Sequence, residues 1–242
     1  MSAPPDGEVH LWTIALGAAR STEELRAALP AYERARADAL GEVTRRETFI
    51  LTRVATRSIL GAYLDLPPRR LLWRTEQSGK PEIDGCAGVL SFNLTHSGEF
   101  ALLAVTGGCG VGVDLEAPRS GFPAVAFAAR YFPSAEAELV RTARSAYPVF
   151  ARLWTRKEAC VKAAGVRLAQ GLRLSVAGTG GTVIVRDPRQ VVPGVWTVID
   201  LNVPGGYTAA VALAGLRPAT VISRAWRPGP ESASQFVQLA RS

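Results

Sequence analysis

The order of elements in this chain occurs twice, and that repetition constrains its fold more than any other feature. One long helical segment ends as LTRVATRSILG at residues 51–61, and another ends as LWTRKEACVKAAG at residues 153–165. Strands follow each helix. Each half also carries a similar apolar arm, GEFALLAV at 98–105 and GGYTAAVAL at 205–213. Such a chain is expected to form an α+β fold of two pseudo-twofold related halves, each a long helix packed on a small, mainly antiparallel sheet. Neither half buries its sheet face alone, so the two need each other. The boundary is expected between Glu116 and Gly121. That gives an N-terminal half over 1–117 and a C-terminal half over 118–216. Residues 217–242 turn polar and Pro-bearing and are expected to be a peripheral extension or loose tail.

Local patterns fill in the halves. Residues 9–16 read as a strand. Residues 21–40 read as helical, with Pro30 able to split them. Residues 44–61 read as a helix with a Thr44/Glu47 capping box and a stop at Gly61. Strands are expected at 70–74, 89–95, 100–106 and 111–116, with Ser78–Pro81 as a turn. Two short helices are expected over 123–131 and 134–144, and a long one over 149–164 ending at Gly165. After it, LRLSV, TVIVR, VWTVIDL and YTAAVAL read as strands.

Composition narrows the setting. Formal net charge is +7, from 28 Lys and Arg against 21 Asp and Glu. A basic balance favours acidic partners, whether phosphorylated small molecules, proteins, nucleic acid or anionic lipid. Three cysteines without a CxxC spacing argue against a disulfide framework or a zinc site. No run approaches the roughly 18 apolar residues of a membrane span. A reduced, cytoplasmic setting with no membrane partner fits best.

Asp114 and Glu116 lie two residues apart on an expected strand, so both point to one face. Two carboxylates at the end of an apolar strand repel each other unless a cation sits between them. Mg2+ is commonly held by carboxylates together with substrate phosphates; an exposed strand end is the plainer reading. On the second long helix, Trp154, Glu158 and Lys162 recur at i, i+4 and i+8 and share a face, with Lys157 offset. Taken alone, Glu158 and Lys162 also suit an ordinary surface ion pair. His96, between Thr95 and Ser97, suits either phosphate binding or a structural histidine. Lys80 sits on a stiff Gly79-Lys80-Pro81 turn.

Together these segments resemble one family. Phe92-Asn93-Leu94-Thr95-His96-Ser97-Gly98, Gly110-Val111-Gly112-Val113-Asp114-Leu115-Glu116 and Trp154-Thr155-Arg156-Lys157-Glu158-Ala159-Cys160-Val161-Lys162, preceded by Gly79-Lys80-Pro81, are similar to the motif series of surfactin-synthetase-type 4'-phosphopantetheinyl transferases. The resemblance covers roughly residues 9 to 216. The Trp154 and Lys157-Glu158-Ala159 pattern is similar to the tryptophan/KEA subgroup, found in bacterial secondary metabolism, where carriers of polyketide and nonribosomal-peptide synthesis are activated. Thr95 stands where the family often has serine.

The resemblance implies coenzyme A bound between the halves, with Mg2+ held by Asp114, Glu116 and Glu158. It implies phosphate contacts from Lys162, Lys80, Thr95 and His96, with Pro81 beside Lys80 in the cofactor site. Arg36, Arg46 and Arg53 are candidates for the 3'-phosphate or adenine. Glu158, Lys162 and His96 are the expected catalytic residues. Glu158 would act as general base, directly or through a water, or metal-bound water would act with Glu158 only a ligand. The partner implied is an acidic apo acyl or peptidyl carrier protein, met transiently, with an apolar contact near residues 119–133; the aromatics there equally suit packing against the core. The two-halved pattern suggests a monomer. A nucleic-acid-binding module is the alternative from charge alone, but no recognised module pattern appears and it has no need of three carboxylates. Neither GxxxxGK[ST] nor a kinase motif series is present.

Overall fold

Alternation of apolar residues along the strands decides how the layers stack. The computed structural model describes residues 1–18, 22–75, 81–85, 88–216, 219–229 and 235–241. One sheet runs in the order β11 (Gln235–Arg241), β10 (Thr220–Arg227), β1 (Glu8–Ala15), β5 (Phe100–Thr106), β4 (Ser91–Ser97). A second runs β6 (Val111–Glu116), β9 (Thr208–Ala214), β8 (Val195–Leu201), β7 (Thr182–Arg186). Trp12, Ile14, Ala101, Leu103 and Val105 pack with the long helix α3 (Val43–Leu64). Their neighbours Val9, Leu11, Leu102 and Ala104 face the other way, onto Val111, Val113, Leu115, Val211 and Leu213 of the second sheet. Ala210 and Ala212 turn to the other long helix, α6 (Ala146–Ala164). Period-two alternation thus gives every central strand two buried faces, and the layers are helix, sheet, sheet, helix. This is the expected α+β class. Among the described residues no helix is long and apolar enough to cross a membrane.

Each long helix is tied to a short one by a buried ion pair. Pro30 splits the first helical segment into α1 (Thr22–Ala28) and α2 (Ala31–Asp38). Glu33 of α2 pairs with Arg57 of α3 at 2.6 Å, and Arg57 also donates to the carbonyls of Pro68 and Leu71. In the second half, α4 (Ala124–Tyr131) and α5 (Ser134–Thr142) precede α6. Glu136 of α5 pairs with Lys157 of α6 at 2.5 Å, and Lys157 donates to the Leu174 carbonyl. All four side chains are buried. Burial lowers the proton affinity of Lys157, and the Glu136 carboxylate opposes that effect.

Four expectations are corrected. LRLSV (172–176) is not a strand. After the short α7 (Leu168–Gly171) it runs as a loop whose polar backbone groups meet side chains of neighbouring helices. Lys157 takes the Leu174 carbonyl, Arg156 takes those of Val176 and Gly180, and Glu136 accepts the Val176 and Ala177 N–H groups. With these met, no ladder is needed. Gly61 does not end α3, which continues to Leu64 and closes at a left-handed Asp65. Glycine serves there because a Cβ would stand 2.6 Å from the Leu66 carbonyl oxygen. The Thr44/Glu47 capping box does not form; α3 begins after Glu42 without a side-chain cap. Finally, residues 220–226, expected in a peripheral extension or loose tail, form a central strand instead. Residues 220–226 pair in parallel with Glu8–Ile14, making the first sheet mixed. Val221, Ile222 and Trp226 are buried, and this strand pattern lay behind the Arg and Pro residues around it.

A buried polar chain links β1, α3 and β10. His10 Nδ1 lies 2.5 Å from the Tyr63 hydroxyl, which accepts from Trp12 Nε1 at 3.0 Å. His10 Nε2 lies 2.7 Å from Glu8 Oε1, with an Arg224 nitrogen 3.4 Å away. Burial lowers the His10 pKa and outweighs Glu8, while Arg224 adds to the lowering. Folded His10 therefore binds a proton less readily than the unfolded chain, whose histidine titrates near pH ~6.5. Its stabilising contribution is present above that pH and is lost as pH falls. Urea unfolding should show lower stability at about pH 5.5 than at about pH 7.5, and His10→Gln should flatten that difference. An unchanged slope in His10→Gln would assign the acid sensitivity elsewhere.

Candidate active site

The site begins with a glycine. On β6, Val111, Val113 and Leu115 face the first sheet, so Gly112, Asp114 and Glu116 face α6. A Cβ at Gly112 would collide with the Ala159 carbonyl and the Ala163 backbone. The missing side chain lets α6 lie close against the strand, and the stripe Trp154, Glu158, Lys162 then runs beside the two carboxylates. Gly112→Ala should push the helix away, costing about 1–3 kcal/mol by overpacking. Thermal unfolding measures that loss, and a wild-type midpoint would contradict the close contact.

Lys162 Nζ contacts Asp114 Oδ1 at 2.6 Å and Thr95 Oγ1 at 3.2 Å, and Thr95 donates to the same oxygen at 3.3 Å. Among the described residues, the buried Asp114 Oδ2 and Glu116 Oε2 have no hydrogen-bond partner. Trp154 Nε1 donates to Glu116 Oε1 at 3.0 Å, and an Arg119 nitrogen lies 2.9 Å from Oε2. Burial raises the pKa of Asp114, opposed by Lys162. Burial also raises that of Glu116, opposed by Arg119 and reinforced by Asp114. Glu158, half-buried, is pushed up to about 7 by burial and by the Asp114 and Glu116 charges, with Lys162 opposing. Asp114 thus raises the proton affinity of Glu116, and both raise that of Glu158, beside one ammonium.

This donor set suits a hard divalent cation. Among the described residues no group of three or more His, Cys, Asp or Glu side chains is already gathered to hold a metal ion. Mg2+ does not require such a cage, because it keeps several waters and takes one or two carboxylates plus substrate phosphates. The unpartnered Asp114 Oδ2 is a donor of the right kind, and a positive charge would relieve the mutual repulsion.

The other expected residues divide. Thr95 joins the Asp114–Lys162 cluster. His96 leaves β4 on the opposite face, the one shared with Phe92, and its ring is exposed. Partial desolvation, then the Lys162 charge, lower its pKa. Pro81 opens β3 (Pro81–Ile83), which pairs with β2 (Trp73–Thr75); Lys80 lies outside the described residues. Arg36 and Arg53 both lie over the Phe49 ring, at 5.6 and 5.5 Å, and Arg53 also lies 5.6 Å from the Trp73 ring. Arg46 is apart from them, donating to the Leu40 carbonyl. Of the aromatics near 119–133, Phe132 is buried against Phe150, whereas Phe122, Phe127 and Tyr131 are only partly covered.

Sequence reasoning missed the seam between the sheets. Asn93, Thr95 and Ser97 alternate along β4, so all three face β6. Asn93 accepts from Val113 N at 3.0 Å, Thr95 meets Asp114, and Ser97 accepts from Ala117 N at 3.0 Å. The period-two run of short polar residues was the available signal. Arg119 was missed too, since a lone arginine in a loop carries no pattern.

Residues 110–211, which hold β6 and α6, match the sequence profile of the 4'-phosphopantetheinyl transferase superfamily. The chain is 29% identical over 157 residues to the 4'-phosphopantetheinyl transferase psf-1 of Bacillus pumilus, across 64% of this chain and 66% of that one. It is 35% identical over 215 residues to the 4'-phosphopantetheinyl transferase HetI of Nostoc sp. (strain PCC 7120), across 86% of this chain and 88% of that one. Likeness to HetI on that scale reaches across both sheets and both long helices, well beyond the carboxylates, and it means that this chain belongs to the 4'-phosphopantetheinyl transferase superfamily.

Proposed function

We propose that the chain transfers the 4'-phosphopantetheine group of coenzyme A to a serine of an apo acyl or peptidyl carrier protein, with Mg2+, giving the holo carrier and adenosine 3',5'-bisphosphate. One observation carries the reading. In a member of this superfamily, Asp114 has an ammonium on one oxygen, and its buried second oxygen and Glu116 Oε2 have no hydrogen bond among the described residues, with Glu158 alongside. Such a site suits the phosphates of coenzyme A and a divalent cation together.

Asp114, Glu116 and Glu158 are the residues to hold Mg2+, which would offset charge on the phosphate oxygens. The carrier serine oxygen attacks the phosphorus that bears pantetheine, and the bond from that phosphorus to the bridging oxygen of the pyrophosphate breaks. Glu158 takes the serine proton. Lys162 stabilises charge developing on the phosphates, and the bridging oxygen leaves with adenosine 3',5'-bisphosphate. Thr95 orients Lys162 and Asp114, while His96 and Lys80 are assigned to the nucleotide phosphates and Pro81 to the cofactor site beside Lys80. Of the three arginines, Arg36 suits the 3'-phosphate or adenine best, since Arg46 is committed to the Leu40 carbonyl and Arg53 lies 3.9 Å from the buried Glu33 carboxylate and against the Phe49 and Trp73 rings.

The repeated ion-pair arrangement, Glu33–Arg57 and Glu136–Lys157, supports reading the halves as pseudo-twofold partners within a monomer. The +7 charge suits an acidic carrier met transiently. The Trp154 and Lys157-Glu158-Ala159 pattern favours carriers of polyketide or nonribosomal-peptide synthesis.

Chromatographic detection of adenosine 3',5'-bisphosphate tests the reaction. Release should require coenzyme A, Mg2+ and an apo carrier together, and should disappear with EDTA and in Lys162→Ala. Equal release without a carrier would mean hydrolysis of coenzyme A and would contradict transfer.

A further inference from the structure

The two carboxylates on β6 are held differently. The Lys162 and Thr95 contacts to Asp114 both fall on Oδ1. Glu116 instead takes a hydrogen bond on Oε1, while its buried Oε2 has no hydrogen bond among the described residues and only an ion-pair contact with Arg119. Trp154 reaches Oε1 from within an aromatic cluster: its ring lies 5.8 Å from Phe150 at 24° and 5.5 Å from Phe127 at 79°. An indole wedged this way has little freedom, and its single N–H has one direction in which to donate. Arg119 reaches Oε2 from a loop, with 54% of its side chain exposed. The same residues, with Phe122, Tyr147 and Ala151, wall a cavity of about 200 Å³.

We propose that Trp154 is a positioning residue that fixes Glu116 for the divalent cation, and that Arg119 is a displaceable latch on the carboxylate oxygen the cation takes. This rests on the cation reading given above. The Glu116 side chain is only 16% exposed, but the Arg119 guanidinium reaches it from water without a hydrogen bond, and such a screened ion pair is worth about 1 kcal/mol, too little to hold the oxygen against a divalent ion. The guanidinium and the cation also repel each other, so binding of one opposes the other. The indole N–H stays on Oε1 and holds the carboxylate in place throughout. The two residues therefore act on cation binding with opposite signs.

Titration with Mn2+ in the presence of coenzyme A, reading free ion by electron paramagnetic resonance, tests this without relying on turnover. Trp154→Phe keeps an aromatic ring among Phe127 and Phe150 but loses the N–H; uptake should weaken about five-fold, the value of one hydrogen bond of ~1 kcal/mol. Arg119→Gln removes the competing charge; uptake should tighten about two- to five-fold. Arg119→Lys keeps a competing charge and should stay close to wild type. Arg119 is exposed, so its variants leave the core untouched and carry the test even if Trp154→Phe unfolds. Wild-type uptake with no change in Arg119→Gln, or with weaker binding there, would overturn the latch. Unchanged uptake in a folded Trp154→Phe would overturn the positioning role. A wild-type protein that takes up no Mn2+ beside coenzyme A would overturn the cation reading and this proposal with it.

Discussion

Glu158→Gln is expected to lower phosphopantetheine transfer by about 10²–10⁴-fold, the range for loss of a positioned general base. The substitution keeps size and hydrogen-bonding capacity but cannot take the serine proton. The fold should not suffer. Burial and the Asp114 and Glu116 charges push Glu158 up to about 7, so the folded site favours a neutral side chain there. A glutamine side chain imitates that neutral form, and the variant should unfold no earlier than wild type. Stopped turnover with unchanged or higher thermal stability would separate a chemical role from a structural one. Wild-type turnover in Glu158→Gln would move the base to another group.

The second large effect lies away from the chemistry. Glu136→Gln should destabilise the protein by about 3–5 kcal/mol, the usual cost of leaving one member of a buried ion pair uncompensated. Lys157 is buried, and its carboxylate partner stands 2.5 Å away. The amide introduced by Glu136→Gln would still offer an oxygen to the Val176 and Ala177 N–H groups, so the loss would report the charge pair rather than the loop contacts. Adding Lys157→Met removes the stranded ammonium and should restore much of the stability. Urea unfolding of Glu136→Gln, Lys157→Met and the double variant decides the matter. A double variant as unstable as the sum of the singles would show that the charges are not coupled.

The site was more legible in the sequence than the loops around it. Alternation placed Asp114 and Glu116 on one face of β6, and helical spacing gathered Trp154, Glu158 and Lys162. Strict periods carried that information, because a strand or helix fixes where each side chain points. Pro30 also broke its helical segment where the fixed ring geometry demands. The failures share a different cause: tertiary contacts that leave no local period. LRLSV has strand-like residues, but Arg156, Lys157 and Glu136 satisfy its backbone from the side. Gly61 reads as a stop from propensity, whereas its use is to admit the Leu66 carbonyl. The 220–227 strand pairs with β1, more than 200 residues earlier, and no local pattern announces such a partner. Arg119 acts through a contact three residues back from a loop, where neither period applies.

Intact mass of a purified apo carrier protein, after incubation with this protein, coenzyme A and Mg2+, tests the central claim most directly. A panel of fatty-acid, polyketide and nonribosomal-peptide carriers should include at least one that gains a single phosphopantetheine. That gain should vanish when the acceptor serine is replaced, with EDTA, and with Glu158→Gln. No added mass on any folded carrier, together with no binding of coenzyme A, would contradict the account.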